Sequence, residues 1–82
     1  MTLEEHEEFG RQIKIFRELL HENAERLSSK EKSFARHLWK QLGEFRNDLD
    51  NALNELPEFR LNPDDRALIN RMNRAYYGDI EV

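Results

Sequence analysis

The chain has 82 residues, which is enough for one domain and too few for a multidomain enzyme. Acidic residues outnumber basic ones by 17 to 13, and the resulting formal net charge of −4 disfavours indiscriminate binding to nucleic acid. Charged residues make up 37% and hydrophobic residues 38%, so we predict one folded domain, residues 1–82, with a thin core.

Several kinds of site are excluded or disfavoured by composition. No Cys is present, which excludes disulfides and Cys-based metal sites. No apolar run is long enough to span a membrane, so no membrane contact is expected. The first residues are acidic rather than those of a secretory signal, and we therefore expect a cytoplasmic location.

The first long helix is predicted over about residues 2–27. Thr2 and Glu5 fit a capping box, in which each side chain accepts a hydrogen bond from the backbone N–H of the other residue. The apolar residues that follow are spaced by three or four, which is typical of one face of an α-helix. They are Phe9, Ile13, Phe16, Leu20, Ala24 and Leu27.

The second long helix is predicted over about residues 29–56, with Ser28 and Glu31 as another capping box. Its apolar residues are Ala35, Leu38, Leu42, Phe45, Leu49, Ala52 and Leu56. The polar stretch 28–33 favours a turn between the two helices and therefore an antiparallel hairpin. The phase of the apolar stripe alone would also allow one continuous rod, because no Gly or Pro interrupts it at the turn.

Pro57 ends the second helix, since it cannot continue the backbone hydrogen bonding. The segment from Pro57 to Leu61 is expected to be extended, with Phe59 and Leu61 packing inward. The predicted fold class is all-α: an antiparallel hairpin of two long helices with a shorter third helix packed across it.

The third helix is predicted over about residues 63–77. Asn62 is placed as its N-cap and Pro63 at its first position. Gly78 suits the position just after the helix, and residues 79–82 form a short tail.

Charge is distributed unevenly along the predicted hairpin. Acidic residues collect at the open end, namely Glu4, Glu5, Glu7, Glu8, Asp48, Asp50 and Glu55. Basic residues collect at the turn end, namely Arg26, Lys30, Lys32, Arg36 and Lys40. The acids would be relieved by Arg60 and Arg66 of a returning third helix, by antiparallel pairing of two hairpins, or by a basic partner or cation. For any single charge, screening by solvent would suffice.

Three apolar residues lie outside the main stripes. Ile15 and Leu19 lie one turn apart on the first helix, and Trp39 lies at the edge of the second-helix stripe. Two helices packed alone would leave these side chains exposed, so we predict that they form a dimer or docking surface. Small domains with thin cores often need such association, and a helical-bundle homodimer is expected.

The outer face of the third helix is the predicted partner-binding site. It carries Arg66, Asn70, Asn73, Arg74 and Tyr77. Tyr and Arg are enriched at the hot spots of protein interfaces, whereas Arg and Asn can also contact phosphates and base edges. The net negative charge favours a protein partner, with nucleic acid as the alternative.

The candidates for chemistry are few. Glu18 and His21 are weak candidate metal ligands, because their Glu-x-x-His spacing occurs in helical di-metal sites, but they lie away from the apolar stripe. His6 is expected to be partly exposed and charged beside several glutamates, with a pH-sensitive core position as the alternative.

No catalytic constellation, phosphate-binding loop or cofactor motif is found, so we predict a non-enzymatic interaction protein. An adaptor, an inhibitor or a regulatory subunit would fit. A nucleic-acid-binding regulator is the alternative, and a metal-dependent helical bundle is third.

Overall fold

A computed structural model describes residues 1–78 of the chain, and it confirms the all-α prediction. In chain order, the elements are α1 (Leu3–Glu22), a 3₁₀ turn (Ala24–Arg26), α2 (Ser29–Asn54), α3 (Pro57–Leu61) and α4 (Arg66–Tyr76). The structure is 83% helical, and no strand occurs within residues 1–78. None of the helices in this part of the chain has the length and apolar character needed to cross a membrane.

The first helix begins as predicted and ends early. The capping box of Thr2 and Glu5 is formed, with N···O distances of 2.9 and 3.1 Å. The helix ends at Glu22 rather than near residue 27, because Asn23 adopts a non-helical conformation and its side-chain amide donates to the Leu19 carbonyl. The stretch 24–26 then continues as a 3₁₀ turn.

The second helix agrees closely with its sequence signals. Ser28 and Glu31 form the predicted capping box at its start. Its last residue is Asn54, and Leu56 is extended with ψ of 136°. The residue before a proline is sterically disfavoured from helical geometry, so Pro57 determines where the helix stops.

The segment after α2 differs from prediction. Pro57–Leu61 is a short helix, α3, instead of an extended segment, because proline is favourable at a first helical position. Phe59 packs inward as expected. Leu61 does not, since 79% of its surface is exposed.

The fourth helix begins at Arg66, three residues later than predicted, because Asp65 and not Asn62 caps it. The Asp65 carboxylate accepts from the Leu68 N–H at 3.1 Å, whereas the Asn62 amide donates to the Glu58 carbonyl and closes α3. Gly78 follows the helix with φ of 89°, a left-handed conformation in which glycine is favoured. The predicted tail, 79–82, lies outside the described residues.

α1 and α2 contact each other through aromatic side chains at two places. The Phe9 and Phe45 rings meet edge to face with centroids 6.5 Å apart. Nearer the connection, the Arg17 guanidinium lies 4.0 Å from the centre of the Trp39 ring. We refer to the end near residues 23–28 as the turn end and to the opposite end as the open end. The described chain is elongated, with extents of 49 × 23 × 16 Å.

The buried core lies at the open end, where α4 crosses α1. Its members are Leu3, Ile13, Leu53, Phe59, Ala75 and Tyr76. At the crossing, Gly10 allows the two backbones to touch, since a Cβ atom there would lie 2.5 Å from the Ala75 carbonyl carbon. Among the described residues, no buried hydrophobic residue lies between Ile13 of α1 and Leu53 of α2.

His6 belongs to this core, which overturns the expectation of a partly exposed, charged residue. Its ring is 2% exposed, and Nδ1 hydrogen bonds the Tyr76 hydroxyl. Burial lowers the pKa of His6, while the charge of nearby Asp50 acts in the opposite direction. Burial also raises the pKa of Tyr76 to about 12. The histidine that was expected to be partly exposed beside glutamates is therefore covered by Tyr76 of α4.

Candidate interaction surfaces

The acidic open end is partly neutralised by α4, through a residue different from those predicted. Arg71 contacts Glu7 at 2.6 Å and Glu4 at 3.8 Å. Arg60 binds Glu55 instead of the α1 acids. Arg66 is exposed at the start of α4. The returning helix therefore relieves the charge of α1, and Arg71 is the residue that does so.

The predicted partner-binding residues on α4 divide into two groups. Arg66, Asn70 and Asn73 are exposed along the helix. The Arg74 carbonyl accepts from Lys14 Nζ at 2.5 Å.

Tyr77 turns toward α2, where its hydroxyl donates to Asn47 Oδ1 and its ring lies 4.5 Å below the Arg46 guanidinium. Tyr77 is thus held against its own chain with 38% of its surface exposed, and Arg74 is exposed as well. We refer to Arg66, Asn70 and Asn73 as the exposed strip of α4.

The three residues predicted as a dimer or docking surface are all exposed, and one of them lines a groove. Ile15, Leu19 and Trp39 are 37%, 51% and 44% exposed. Trp39 lines a groove together with Leu20, and neither Ile15 nor Leu19 is part of that lining.

A broad apolar surface, which we call the back face, follows both long helices. Its members are Phe9, Phe16, Leu19, Phe34, Leu38 and Phe45, all substantially exposed. Phe9 precedes Gly10, which touches Ala75 of α4, and Phe45 precedes Arg46, which stacks on Tyr77 just after α4. One residue along a helix is a rotation of about 100°, so the back face lies to one side of the surface that meets α4 and its C-cap.

Sequence reasoning placed most of the back face in the inward stripe. Phe9, Phe16, Leu38 and Phe45 have the right spacing to be core, but two helices and one short cover cannot enclose stripes of this width. The width of the apolar stripes was the sequence signal that could have shown that some of these residues stay exposed. Phe34 is 64% exposed and lies just before the apolar stripe of the second helix, and nothing in the sequence marked it as part of a surface.

On the side that α4 packs against, the channel between α1 and α2 continues beyond α4. α2 is about 39 Å long and α4 about 16 Å, so α4 covers less than half of it. The remainder is an open groove of about 320 Å³, which we call the turn-end groove. It is lined by Leu20, His21, Ala24, Glu25, Lys32, Ala35, Arg36 and Trp39.

Two arginines lie between α4 and this groove. Arg17 stacks on Trp39 and Arg46 stacks on Tyr77. Burial lowers the pKa of Arg17, and so does the positive charge of Arg46. Within residues 1–78 neither arginine forms an ion pair, and the Nε atom of each is buried without a hydrogen-bond partner.

Glu18 and His21 are both exposed on α1, and His21 lines the turn-end groove. Within residues 1–78, no group of three or more His, Cys, Asp or Glu side chains is placed to hold a metal ion.

Comparison of the chain with protein-family models, with curated proteins and with solved structures finds no match. Its function must therefore be inferred from the surfaces themselves.

Proposed function

We propose that this chain is a small helical interaction protein that works as a homodimer joined through the back face. The observation that carries the proposal is the row of exposed, large apolar side chains along α1 and α2. Scattered single exposed hydrophobic residues are normal, but a contiguous apolar surface is typical of a binding site.

An antiparallel arrangement of two such pairs of helices fits the charges. It would place the basic turn end of one copy, with Lys30 and Lys40, beside the acidic open end of the other, with Glu5 and Asp48. Opposite charges at both ends would fix the register, while the apolar side chains supply most of the affinity. The result would be a helical bundle of four long helices, with each α4 on the outside.

We propose that a protein partner binds the exposed strip of α4, where Arg66, Asn70 and Asn73 are available. Arg71, on the flank of this strip, is already bound to Glu4 and Glu7, which leaves less positive charge for a phosphate backbone. This favours protein over nucleic acid as the partner.

Sedimentation equilibrium at about 10–100 μM tests the dimer. We expect the wild type to sediment at twice the chain mass of 9.9 kDa. Phe34→Glu should sediment as a monomer, because it places a charge in the back face. Leu61→Glu is the matched control, since Leu61 is equally apolar and 79% exposed but lies on α3. A monomeric wild type, or a Phe34→Glu protein that still dimerises, would contradict the proposal.

A further inference from the structure

We propose that the turn-end groove, together with Arg17 and Arg46, binds an acidic amphipathic helix of a partner protein. This inference deepens the proposed function, because it rests on the chain being an interaction protein and names the chemistry of one partner. Three observations support it: the shape of the channel, its apolar floor and its unpaired positive charge.

The channel already holds a helix at its other end. Gly10 and Lys14 contact α4, and Arg17 and His21 continue the same stripe of α1 at spacings of three and four. On α2, Arg46 and Trp39 likewise lie seven residues apart on one stripe. A second helix in line with α4 would thus meet the same two walls.

The floor of the groove is apolar. Leu20, Ala24, Ala35 and Trp39 line it, and the alanines leave room for larger side chains from a partner. These four residues match the apolar side of an amphipathic helix, whose anchors recur at spacings of three and four. About 20 Å of α2 is uncovered, which corresponds to a partner helix of about 13 residues.

The charge around the groove selects an acidic partner. Lys32 and Arg36 lie on its rim, opposed by Glu25, which is 3.9 Å from Lys32. At the α4 end, Arg17 and Arg46 repel one another, and no carboxylate of residues 1–78 binds either of them. Asp50 influences Arg46 electrostatically without reaching ion-pair distance.

A carboxylate from the partner would satisfy both arginines. Guanidinium groups bind carboxylates through two parallel hydrogen bonds, and each of these two groups already lies against an aromatic ring, that of Trp39 or that of Tyr77. Gly43 contributes by leaving space, since a Cβ atom there would lie 3.3 Å from Arg17 Nη2. The site is therefore prepared for a negative charge before the partner arrives.

The test uses Trp39, the one tryptophan of the chain, as the reporter. The probe is a synthetic helical peptide of about 14 residues, acetylated and amidated, with Leu at spacings of three and four and Glu beside them. A second peptide carries Gln in place of every Glu. We expect the Glu peptide to shift the Trp39 emission saturably. The Gln peptide should bind with an affinity about tenfold lower, or lower still, because it cannot form ion pairs with the arginines.

Two protein variants locate the site. Arg17→Met should weaken binding of the Glu peptide about tenfold without lowering the melting temperature, because it also removes the repulsion from Arg46. Arg66→Met removes the same charge from exposed α4 and should bind as the wild type does. Should Arg17→Met fail to fold, Ala35→Glu provides the answer, since a carboxylate on the groove floor should abolish binding.

Three results would overturn the proposal. They are the absence of saturable binding by the Glu peptide, equal binding of the two peptides, and unchanged binding by Arg17→Met or, where that protein does not fold, by Ala35→Glu. A change of oligomeric state in the Ala35→Glu protein would assign the groove to a second copy of this chain instead. No groove residue belongs to the back face, so a protein that stays monomeric can still bind the peptide. Evidence against the dimer is therefore distinguishable from evidence against peptide binding in the groove.

Discussion

Replacing Gly10 by alanine should destabilise the protein, although the same change in most helices is stabilising. Alanine is favoured over glycine inside a helix by about 1 kcal/mol. At Gly10, however, the added Cβ would lie 2.5 Å from the Ala75 carbonyl carbon, and these atoms belong to the backbone of α4. The Ala75 carbonyl oxygen would lie closer still to this Cβ. Because non-bonded heavy atoms pack at about 3.5 Å, α4 must move away by clearly more than about 1 Å.

That movement has a cost that can be approximated. Overpacking of this kind costs about 1–3 kcal/mol. The shift also disturbs the hydrogen bond between His6 and Tyr76, and an unpaired buried polar group costs about 1–3 kcal/mol. After the gain in helix propensity is subtracted, we expect a net loss of about 3 kcal/mol, or roughly 15 °C in melting temperature.

Gly43→Ala is the matched control in the other long helix. Its Cβ would meet only the end of the Arg17 side chain, at 3.3 Å, and that side chain can move. We therefore expect Gly43→Ala to be neutral or up to about 1 kcal/mol more stable. Urea unfolding, monitored by circular dichroism at equal protein concentration, measures the free energy of unfolding of both variants. A Gly10→Ala protein as stable as Gly43→Ala would refute the account of the α1–α4 crossing.

Three further outcomes are expected from the same unfolding measurements. Because burial lowers the pKa of His6 below its ordinary value of 6.5, the unfolded chain binds more protons, and stability should fall as the pH drops through about 6.5. His6→Gln should flatten this dependence, and an unchanged slope would place its cause elsewhere. Leu53→Ala should lower the free energy of unfolding by about 3 kcal/mol, because Leu53 is 0% exposed. Leu61→Ala should leave it almost unchanged, because 79% of the Leu61 surface is exposed. Ser28→Ala should cost about 1 kcal/mol by removing the N-cap of α2, and a loss below about 0.3 kcal/mol would contradict that role.

Features determined by neighbouring residues were predictable from the sequence. Both capping boxes and the effect of Pro57 depend on residues within one turn, and each appears where it was expected. The start of α4 was misplaced because Asn62 and Asp65 are both good caps, and local propensity does not decide between them. The choice depends on how α3 closes, where Asn62 is already used.

Features that depend on contacts between residues far apart in the sequence could not be predicted from the sequence. The burial of His6 requires Tyr76, which is 70 residues away. Gly10 looks like a weak helical position until α4 is seen to touch it. Arg17 is one charged helix residue among many in the sequence, and its place beside Arg46 emerges only when α1, α2 and α4 are packed.

The position of α4 has a consequence for the order of folding. Its hydrogen bonds to α1 join residues 60 to 70 positions apart, whereas α1 and α2 meet through a short connection. Contacts between distant residues carry a larger entropic cost of loop closure, so α1 and α2 should pair before α4 docks. Substitutions at Ala75 or Tyr76 should then accelerate unfolding while leaving the folding rate almost unchanged. Backbone amides of α4 should accordingly exchange with solvent by opening of that helix alone, at a lower free energy than those in the middle of α2.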